Sequence, residues 1–399
     1  MNTILFDDKN REHLLPLTFT RPVGDLRIGI LKIKEKWEKI LATDISFLTE
    51  DYLSEKFPCR IKELNLLING SILPSPEIIE IINNLQRGEA LFQDNILLAA
   101  VISGKDISII KDLEEDLVFE KIIRYENKIS KINYPWDIFT LNGQEMEADF
   151  KLLTAGRTSC EIPKGNNFLE PERIFIEEGA KITFATLNPA GAYIYIGKNA
   201  QIMEGSLVHG GLAMCENSVL KLGTKIYGPT TLGPDSRLGG EVNNCVIQGF
   251  TNKGHDGFLG NSVLGEWCNI GADSNNSNLK NNYEEVKLWN YRKDGFIKTG
   301  LQFCGLVMGD HSKCGINTMF NTGTVVGVSA NIFGAGFPRN FIPSFSWGGA
   351  SGLSEYALKK AFETCEKVMI RRNIEFNDIE KRILEKVFEL TGKYRKFLS

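Results

Sequence analysis

The sequence predicts three regions in order: an α/β domain, a left-handed parallel β-helix built from hexapeptide repeats, and a short helical segment. The β-helix prediction rests on aliphatic–Gly pairs that recur about every six residues, as in Leu259-Gly260, Leu264-Gly265 and Ile270-Gly271. In such a fold each repeat forms one side of a coil and points one aliphatic side chain into a prism. Before the repeats, short apolar runs alternate with amphipathic segments, and after them apolar residues follow a helical period. The predicted boundaries are 1–155, 156–345 and 346–399.

Composition and charge narrow the class of protein. The 399 residues are 42% hydrophobic and 24% charged, with a formal net charge of −4. The length predicts more than one domain. The net charge is not the basic charge that is typical of a protein that binds nucleic acid or an anionic membrane. No signal-peptide pattern opens the chain, and no apolar stretch approaches a membrane span. Eight cysteines without a Cys-x-x-Cys pair favour buried free thiols. We therefore predict a cytoplasmic protein.

The N-terminal region has the pattern of alternating strands and helices. Residues 3–6 and 64–70 are short apolar runs typical of buried strands. Residues 28–40 carry apolar side chains at helical spacing, and 76–87 begin with a proline, which suits the first turn of a helix. Residues 90–103 predict a hairpin. This alternation predicts a sheet with covering helices.

Three short motifs in this region resemble sugar-1-phosphate nucleotidyltransferases. They are the Pro-Leu-Thr at 16–18 with Arg-Pro at 21–22, the Asn-Gly-Ser at 69–71, and the Pro-Trp-Asp at 135–137. The family has a Gly-rich phosphate turn where Asp7 and Asp8 stand here, and an aspartate that holds Mg²⁺ where this chain has a serine. The resemblance implies a shortened nucleotidyltransferase-like α/β domain.

Two interpretations of this domain stay open on the sequence alone. It is either a domain that has lost its chemistry or an active enzyme with a changed site. In the active case Arg21 and Arg27 would clamp phosphates. Asp7 or Asp8 would then ligate Mg²⁺, and UTP or dTTP would be the nucleotide donor. Equally, the two arginines could be surface ion-pair residues that hold their loop in place.

The hexapeptide repeats continue through the middle region with one interruption. Pairs such as Ile196-Gly197, Leu232-Gly233 and Met308-Gly309 share the phase of the central stretch. A single repeat cannot bury its aliphatic residue, so this series predicts a continuous stack of coils. The period breaks at about 273–302, where an Asn/Ser-rich stretch precedes aromatic and basic residues. We expect an insertion there that projects from a corner and covers a binding groove or a neighbouring subunit.

One of only four histidines, His255, precedes the clearest repeats. Imidazole titrates near neutral pH, so on the rim of a rigid coil it suits a general base. His255 with Phe258-Leu259-Gly260, and then Asn-Ile-Gly-Ala at 269–272, resemble the acetyltransferase core of the bifunctional N-acetylglucosamine-1-phosphate uridyltransferase/glucosamine-1-phosphate N-acetyltransferase (GlmU-like) family. The Phe-Thr-Arg-Pro-Val at 19–23 and Ser-Phe-Ser-Trp-Gly-Gly at 344–349 resemble its divergent, Bacteroidetes-type branch.

This resemblance implies CoA-dependent transfer of an acetyl group to a hexosamine-1-phosphate, coupled or not to nucleotidyl transfer for UDP-sugar synthesis. By resemblance, His255 is the base that takes the proton from the amine. Glu241 would orient His255 or bind the sugar, and Phe258 would pack against the sugar or the pantetheine arm. Asn282, in the pair Asn282-Tyr283, would hydrogen-bond the substrate.

One departure from the family concerns the acceptor. A lysine that binds the sugar phosphate in the family is Asn243 here, and Lys225, near the position of a family arginine, would compensate for it. The expected partners are a sugar phosphate and acetyl-CoA. The resemblance also implies a homotrimer with acyl-CoA in the groove between neighbouring prisms. Mg²⁺ would be needed only if the N-terminal half is active.

Two other functions stay open. One is sugar-1-phosphate nucleotidyl transfer alone, with a uridylyl or thymidylyl donor. The other is a non-catalytic β-helix scaffold or a sensor of sugar nucleotides, which the changed phosphate turn and Asn243 favour. Retention of His255 with Glu241 and Asn282 favours the acetyltransferase.

The C-terminal segment predicts two amphipathic helices, at 353–372 and 377–397, from apolar residues at helical spacing. The first carries the basic residues Lys367, Arg371 and Arg372. These could meet the phosphates of CoA, but a solvated helix face is the preferred interpretation. We expect both helices to pack on the end or the side of the prism.

Overall fold

The computed structural model describes residues 1–107 and 119–395. The chain divides into two compact units, here called the N-terminal unit and the β-helix unit. Two short early segments, Leu15–Phe19 and Arg27–Ile30, belong to the β-helix unit together with Pro135–Ser399. The N-terminal unit comprises Met1–Leu14, Thr20–Leu26 and Leu31–Tyr134.

The N-terminal unit is built on a six-stranded mixed sheet. Its elements are β1 (Asn2–Phe6), α1 (Ile33–Leu41), β2 (Ile45–Leu48), β3 (Leu64–Asn69), α2 (Pro76–Asn84), β4 (Glu89–Gln93), β5 (Ile96–Ser103) and β6 (Lys121–Arg124). The order is β2-β1-β3-β5-β4-β6, with the first three strands parallel and β5 antiparallel to β3 and β4. Ile4, Phe6 and Leu67 lie in its core. The predicted α/β class is confirmed, as are both strands and the hairpin.

The helix predicted at 28–40 begins later than its apolar pattern suggested. Helix α1 starts at Ile33, where the Glu35 carboxylate accepts a hydrogen bond from the N–H of the N-cap residue Lys32 (2.7 Å). The preceding residues leave the N-terminal unit: the N–H of Gly29 donates to Asn142 Oδ1 (2.8 Å) and that of Ile30 to Asp149 Oδ2 (2.8 Å). Gly29 has a φ of +74°, which is incompatible with a continuing helix. Tertiary hydrogen bonds therefore override the local periodicity here.

The β-helix unit is a stack of coils whose strands form three ladders around one core, here called the first, second and third face. Strands of successive coils pair in parallel and in register along the ladders. Inward residues such as Leu187, Ile202, Leu220, Leu238 and Val242 form one continuous apolar core. Stacking of coils is what buries them, since one coil alone leaves them exposed. The predicted left-handed parallel β-helix is confirmed.

The strands follow the three faces in rotation. The first face carries β7 (Asn167–Phe168), β10 (Thr186–Asn188), β13 (Leu207–His209), β16 (Lys225–Tyr227), β23 (Asn275–Asn276) and β28 (Met319–Phe320). The second carries β8 (Ile174–Ile176), β11 (Ile194–Ile196), β14 (Leu212–Met214), β17 (Thr230–Leu232), β26 (Leu306–Met308), β29 (Thr324–Val326) and β31 (Phe341–Ile342). The third carries β9 (Lys181–Ile182), β12 (Gln201–Ile202), β15 (Val219–Leu220), β18 (Arg237–Leu238), β20 (Asn252–Lys253), β22 (Asn269–Ile270), β27 (Lys313–Cys314), β30 (Asn331–Ile332) and β32 (Ser346–Gly349). Two long strands, β19 (Glu241–Gly249) and β21 (Phe258–Glu266), run from the first face onto the second.

Other parts of the unit cover the second face. Helices α3 (Pro135–Thr140) and α4 (Asn142–Thr154) lie against it, and Met146 and Phe150 pack on Phe175 and Tyr195. An excursion from the coils contains the antiparallel hairpin of β24 (Lys287–Asn290) and β25 (Gly295–Lys298). The first face, by contrast, carries half-buried and exposed polar side chains. These outward polar side chains are therefore accessible to a ligand.

The cysteines contribute to packing rather than to cross-links. All eight are free, and Cys245, Cys268 and Cys314 lie in the β-helix core. Burial raises the pKa of the thiols of Cys245 and Cys268 to about 12, so both stay protonated at neutral pH. The prediction of buried free thiols is confirmed for six of the eight, whereas Cys59 is half-buried and Cys160 is exposed.

The C-terminal helices begin later than predicted. Strand β33 (Gly352–Glu355) pairs antiparallel with β32, so α5 spans Leu358–Met369 and continues as a 3-10 turn, Ile370–Arg372. Helix α6 spans Asp378–Leu390, and the end predicted at residue 397 lies outside the described residues. Among the described helices, none has the length and apolar character required for a membrane span. Further 3-10 turns are Lys9–Leu14, Val23–Asp25, Asp51–Leu53, Gly104–Asp106, Pro171–Arg173 and Gly392–Tyr394.

Candidate functional site

Three predicted site residues stack on the outside of the first face. Lys225, Glu241 and Phe258 are register partners on β16, β19 and β21. The next residue on each of these strands points inward and is at most 2% exposed (Ile226, Val242, Leu259). Side chains alternate along a strand, and neighbouring strands lie about 4.8 Å apart. The structure therefore brings a cation, a carboxylate and an aromatic ring into one outward column.

Glu241 is the centre of this column. Tyr227 donates its hydroxyl hydrogen to Glu241 Oε1 (2.6 Å), and Lys225 Nζ lies 3.6 Å from Oε2. Burial, and next the neighbouring Glu241 carboxylate, raise the pKa of Tyr227 to about 12, so it remains a donor at neutral pH. The side chain of Lys225 is 55% exposed, so this ion pair is screened and leaves the ammonium group accessible. Sequence reasoning missed Tyr227, which lies two residues after Lys225 on the same outward side.

His255 lies at the corner where the third face turns into the first, between β20 and β21. The residue is exposed, and no hydrogen bond within the described residues involves its ring. Its backbone is closely packed: a Cβ added to Gly240 of the preceding coil would lie 3.0 Å from the His255 carbonyl oxygen. The corner therefore presents an accessible imidazole on a fixed backbone. A contact through which Glu241 would orient His255, one of its two predicted roles, is not among the described contacts.

A buried lysine holds this corner from inside the prism. Lys253 is 1% exposed and is the register partner of Leu238, so a cation stands at an aliphatic position of the repeat. Its Nζ donates to the carbonyl oxygens of His255 (2.7 Å) and Gly239 (2.8 Å). Burial lowers the pKa of Lys253 to about 8, with Asp256 opposing the shift. Sequence reasoning missed Lys253, although a lysine in the aliphatic slot was a visible signal.

Asparagines of the following coil brace the strand that carries Phe258. Asn275 Oδ1 accepts from the N–H of Phe258 (2.7 Å) and Asn276 Oδ1 from that of Gly260 (2.9 Å). Both asparagines belong to β23, so the Asn/Ser-rich stretch begins as a coil. The excursion starts only after it, at an antiparallel bridge between Leu279 and Phe303.

The Asn282-Tyr283 pair lies in this excursion, away from the column. Both residues are exposed on a turn, and Asn282 Oδ1 accepts from the N–H of Glu284 (3.2 Å). Tyr283 is 64% exposed. No contact within the described residues joins the pair to His255, Glu241 or Phe258. The single chain therefore does not bring these parts of the predicted site together.

The candidate metal ligands of the N-terminal unit are engaged by protein donors. The Asp7 carboxylate accepts from the N–H of Val23 (2.9 Å) and the hydroxyl of Thr49 (2.5 Å), and Arg11 Nε lies 3.4 Å from it. Burial raises the pKa of Asp7 to about 6, although Arg11 opposes the shift. Asp8 accepts from Asn10 and Asn69. No group of three or more His, Cys, Asp or Glu in the described ranges could hold a metal ion. This donor set does not fit Mg²⁺.

The candidate phosphate clamps are likewise buried in internal contacts. Arg21 is 3% exposed and lies 3.7 Å from Asp25 Oδ2. Arg27 is 5% exposed and donates to the carbonyl oxygens of Ile30 and Gln248. The Gln248 side chain bonds the backbone of Arg27 in both directions, at 2.7 and 3.0 Å. These contacts favour the interpretation in which the arginines hold their loop in place, although both are buried rather than on the surface.

Comparison with known proteins supports a two-part chain. The family model described as "Sugar nucleotidyl transferase" matches residues 3–158. The bifunctional sugar-1-phosphate nucleotidylyltransferase/acetyltransferase of Sulfurisphaera tokodaii is 27% identical over 214 residues, 53% of this chain and 47% of the relative. The bifunctional protein GlmU of Methanococcus aeolicus is 26% identical over 260 residues, 61% of this chain and 54% of the relative. The chain thus spans about half the length of the curated relatives it matches.

Similarity to solved structures is weaker. The polySia-specific acetyltransferase NeuO has a TM-score of 0.28 at 13% identity, covering 59% of this chain and 95% of NeuO. A UDP-N-acetylglucosamine acyltransferase has a TM-score of 0.20 at 10% identity, covering 61% and 83%. Residues 3–158 thus match the sugar nucleotidyl transferase family model, and the chain is similar, at 26–27% identity, to bifunctional proteins of the GlmU type.

Proposed function

We propose that this chain is a cytoplasmic transferase that moves an acetyl group from acetyl-CoA to the amine of a hexosamine-1-phosphate. The single observation that carries the proposal is the outward column of Lys225, Glu241 and Phe258 beside the exposed His255. A cation, a carboxylate and an aromatic ring are the groups that suit the phosphate, the polar substituents and the apolar ring face of such a sugar. These three side chains therefore suit the binding of a hexosamine-1-phosphate, and the exposed imidazole of His255 suits proton transfer from its amine.

In this proposal His255 performs the proton transfer. Acetyl-CoA, when bound, supplies the acetyl group as a thioester. An amine attacks only in its neutral form, so His255 takes a proton from it as the N–C bond forms and returns that proton to the CoA sulfur as the C–S bond breaks. The backbone contacts from Lys253 and Gly240 support this role because they fix the corner without occupying the ring.

The other residues would bind the acceptor. One carboxylate oxygen of Glu241 accepts the hydroxyl hydrogen of Tyr227. We therefore propose that the other oxygen binds a sugar hydroxyl or the amine rather than His255. Lys225 would face the phosphate, in place of the family lysine that is Asn243 here. Phe258 would pack on the sugar ring. These roles stay proposals that substrate-dependent kinetics can separate.

We also propose a homotrimer in which the Asn282-Tyr283 turn of one copy reaches the site of a neighbour. The exposure of Tyr283, and its lack of contact with the column of its own chain, support this arrangement. Acyl-CoA would then lie between neighbouring prisms. Sedimentation equilibrium on the full chain checks the trimer.

Nucleotidyl transfer draws support from the family match but not from the site. Asp7 and Asp8 already accept hydrogen bonds from protein donors, and the arginines meant for UTP or dTTP phosphates are buried in internal contacts. We therefore place the proposed chemistry in the β-helix unit alone.

The decisive experiment measures thiol release from acetyl-CoA with glucosamine-1-phosphate, and the acetylated product by mass spectrometry. Wild type is compared with His255→Ala and with His209→Ala, which removes an exposed histidine of β13 on the first face. We expect release in wild type and His209→Ala and loss in His255→Ala. Equal release by His255→Ala would refute the role of His255. No acceptor-dependent release by wild type would refute the proposed reaction.

A further inference from the structure

A polar concavity lies on the third face, away from the column of the first face. It is a cavity of about 210 Å³ beneath the C-terminal end of α5. Four cationic side chains line it, together with two asparagines and the aromatic pair Phe250 and Trp267. No carboxylate from the part of the chain that the structure describes lines it. Phe250 and Trp267 lie at the corner between the second and third faces. His255 lies at the corner between the third and first faces.

The fold brings these cations together from distant parts of the chain. Arg237, Asn252, Asn269 and Lys313 are successive register partners on the third face, so their side chains form one outward column. The 3-10 turn that follows α5 delivers Arg371 and Arg372 to the same place. All the residues that line the cavity therefore belong to one chain.

The three arginines have no ion-pair partner among the described residues. Lys313 donates to the carbonyl oxygen of His311 (2.8 Å), whereas Arg237, Arg371 and Arg372 make no hydrogen bond or salt bridge within residues 1–107 and 119–395. Burial, and next the nearby Arg237, lower the pKa of Arg372, while Asp235 partly opposes the shift. Like charges that share a partly desolvated site repel each other. An anion in the cavity would relieve this repulsion.

Neutral side-chain amides add hydrogen-bond donors to the four cations of the cavity. Asn252 Nδ2 donates to Asn269 Oδ1 (3.0 Å), which leaves the Nδ2 group of Asn269 without a partner among the described residues. Guanidinium groups bind phosphate oxygens in a planar, two-bond geometry, and amide N–H groups add further donors. The cavity is smaller than the roughly 300–1,000 Å³ of pockets that enclose a whole ligand. It therefore suits the anionic end of a molecule whose remainder extends into solvent.

We propose that this cavity is a phosphate-binding site in which Arg237, Arg371 and Arg372 hold a phosphate or diphosphate group. The site is distinct from the column that contains Glu241, and it does not depend on the proposed acetyl transfer. The phosphate belongs either to a separate phosphorylated metabolite or to the nucleotide end of CoA. Both sources present the same chemistry to the three arginines.

The test is titration calorimetry of the full chain with inorganic phosphate and pyrophosphate. We expect saturable binding of pyrophosphate by wild type, at least about tenfold weaker binding by Arg372→Gln and by Arg237→Gln, and weaker binding at higher salt. Lys359→Gln, which removes an exposed cation of α5 outside the cavity, is the matched control and should bind as wild type does. Absence of saturable binding by wild type, or equal binding by all variants, would overturn the proposal.

Thermal unfolding separates binding from a structural role. Removal of Arg372 relieves like-charge repulsion, so the Tm of Arg372→Gln without ligand should equal or exceed that of wild type, while the rise in Tm with pyrophosphate should disappear. A lower Tm without ligand, together with an undiminished pyrophosphate shift, would show that the arginine only supports the fold.

Competition identifies the source of the phosphate. If CoA displaces pyrophosphate and 3′-dephospho-CoA does so at least tenfold less well, the site takes the 3′-phosphate of the acyl donor. If glucosamine-1-phosphate displaces pyrophosphate and CoA does not, the site takes a separate phosphorylated metabolite. His255→Ala should keep pyrophosphate binding intact. Failure of the proposed acetyl transfer is therefore distinguishable from failure of this site.

Discussion

Asp7 in the N-terminal unit and His255 in the β-helix unit occupy comparable places, each in a connection next to a strand, yet their surroundings differ. The partners of Asp7 are internal, namely Val23, Thr49 and Arg11. His255 is held through its backbone only, and its ring is exposed. A candidate site needs a fixed backbone and a side chain that the fold leaves accessible. By that criterion His255 is a better candidate for a functional residue than Asp7.

The largest expected effect is the loss of acetyl-transfer activity when His255 is replaced. Removal of a general base costs about 10²–10⁴-fold in rate. We therefore expect His255→Ala to lower kcat of acetyl transfer by that range while the KM for acetyl-CoA changes little. Initial rates over a range of acetyl-CoA concentrations at fixed pH separate kcat from KM. A variant that keeps the wild-type kcat would argue for a different base.

The second prediction concerns Asp7 and stability rather than activity. The folded pKa of about 6 lies above the ordinary value of 3.8, so the folded state binds the proton more tightly than the unfolded state. The unfolding free energy should therefore fall as pH rises from about 4 to about 6, by roughly 2–3 kcal/mol, and then stay level. Asp7→Asn removes this titration, so urea denaturation at pH 4 and pH 7 should show a smaller change than in wild type. Acetyl transfer should not change.

A third prediction tests the internal support of the His255 corner. Lys253→Met removes the donor to the carbonyl oxygen of His255 and should lower kcat about tenfold with little change in KM. The Lys253 pKa of about 8, against 10.5, also means that wild-type stability rises as pH increases from about 8 to about 10.5, and the variant should lack this rise. Leu238→Met, at the register partner, is the control for methionine in the core. Unchanged kcat in Lys253→Met would show that the corner holds its shape without the lysine.

The smallest expected effect concerns the exposed end of the column. Lys225 is screened by solvent, and exposed ion pairs contribute about 0.2–1 kcal/mol. Lys225→Ala should therefore raise the KM for the sugar phosphate by about two- to fivefold and leave kcat nearly unchanged. Raised salt should shrink the difference between wild type and variant. A large fall in kcat would instead place Lys225 at the reacting atoms.

Much of the architecture was predictable because its signals are local. The aliphatic–Gly period of pairs such as Leu264-Gly265 predicts coils, and coils require stacking. The spacing of Lys225, Glu241 and Phe258, about one coil apart each time, was also present in the sequence. Their direct stacking could not be predicted, because coil lengths vary and an error of one residue turns a side chain from the outside to the core.

The sequence by itself determined the β-helix, the α/β class of the first domain and the identity of His255 as the candidate base. Only the tertiary structure decided which polar groups are already satisfied. Arg27 binds Gln248, 221 residues away in the chain, and the carboxylate of Asp7 is enclosed by donors from other segments. It also brought Arg237 to Arg372 in one cavity. The physical reason is that periodicity is written in neighbouring residues, whereas hydrogen-bond partners and the balance of buried charge depend on segments that meet only after folding.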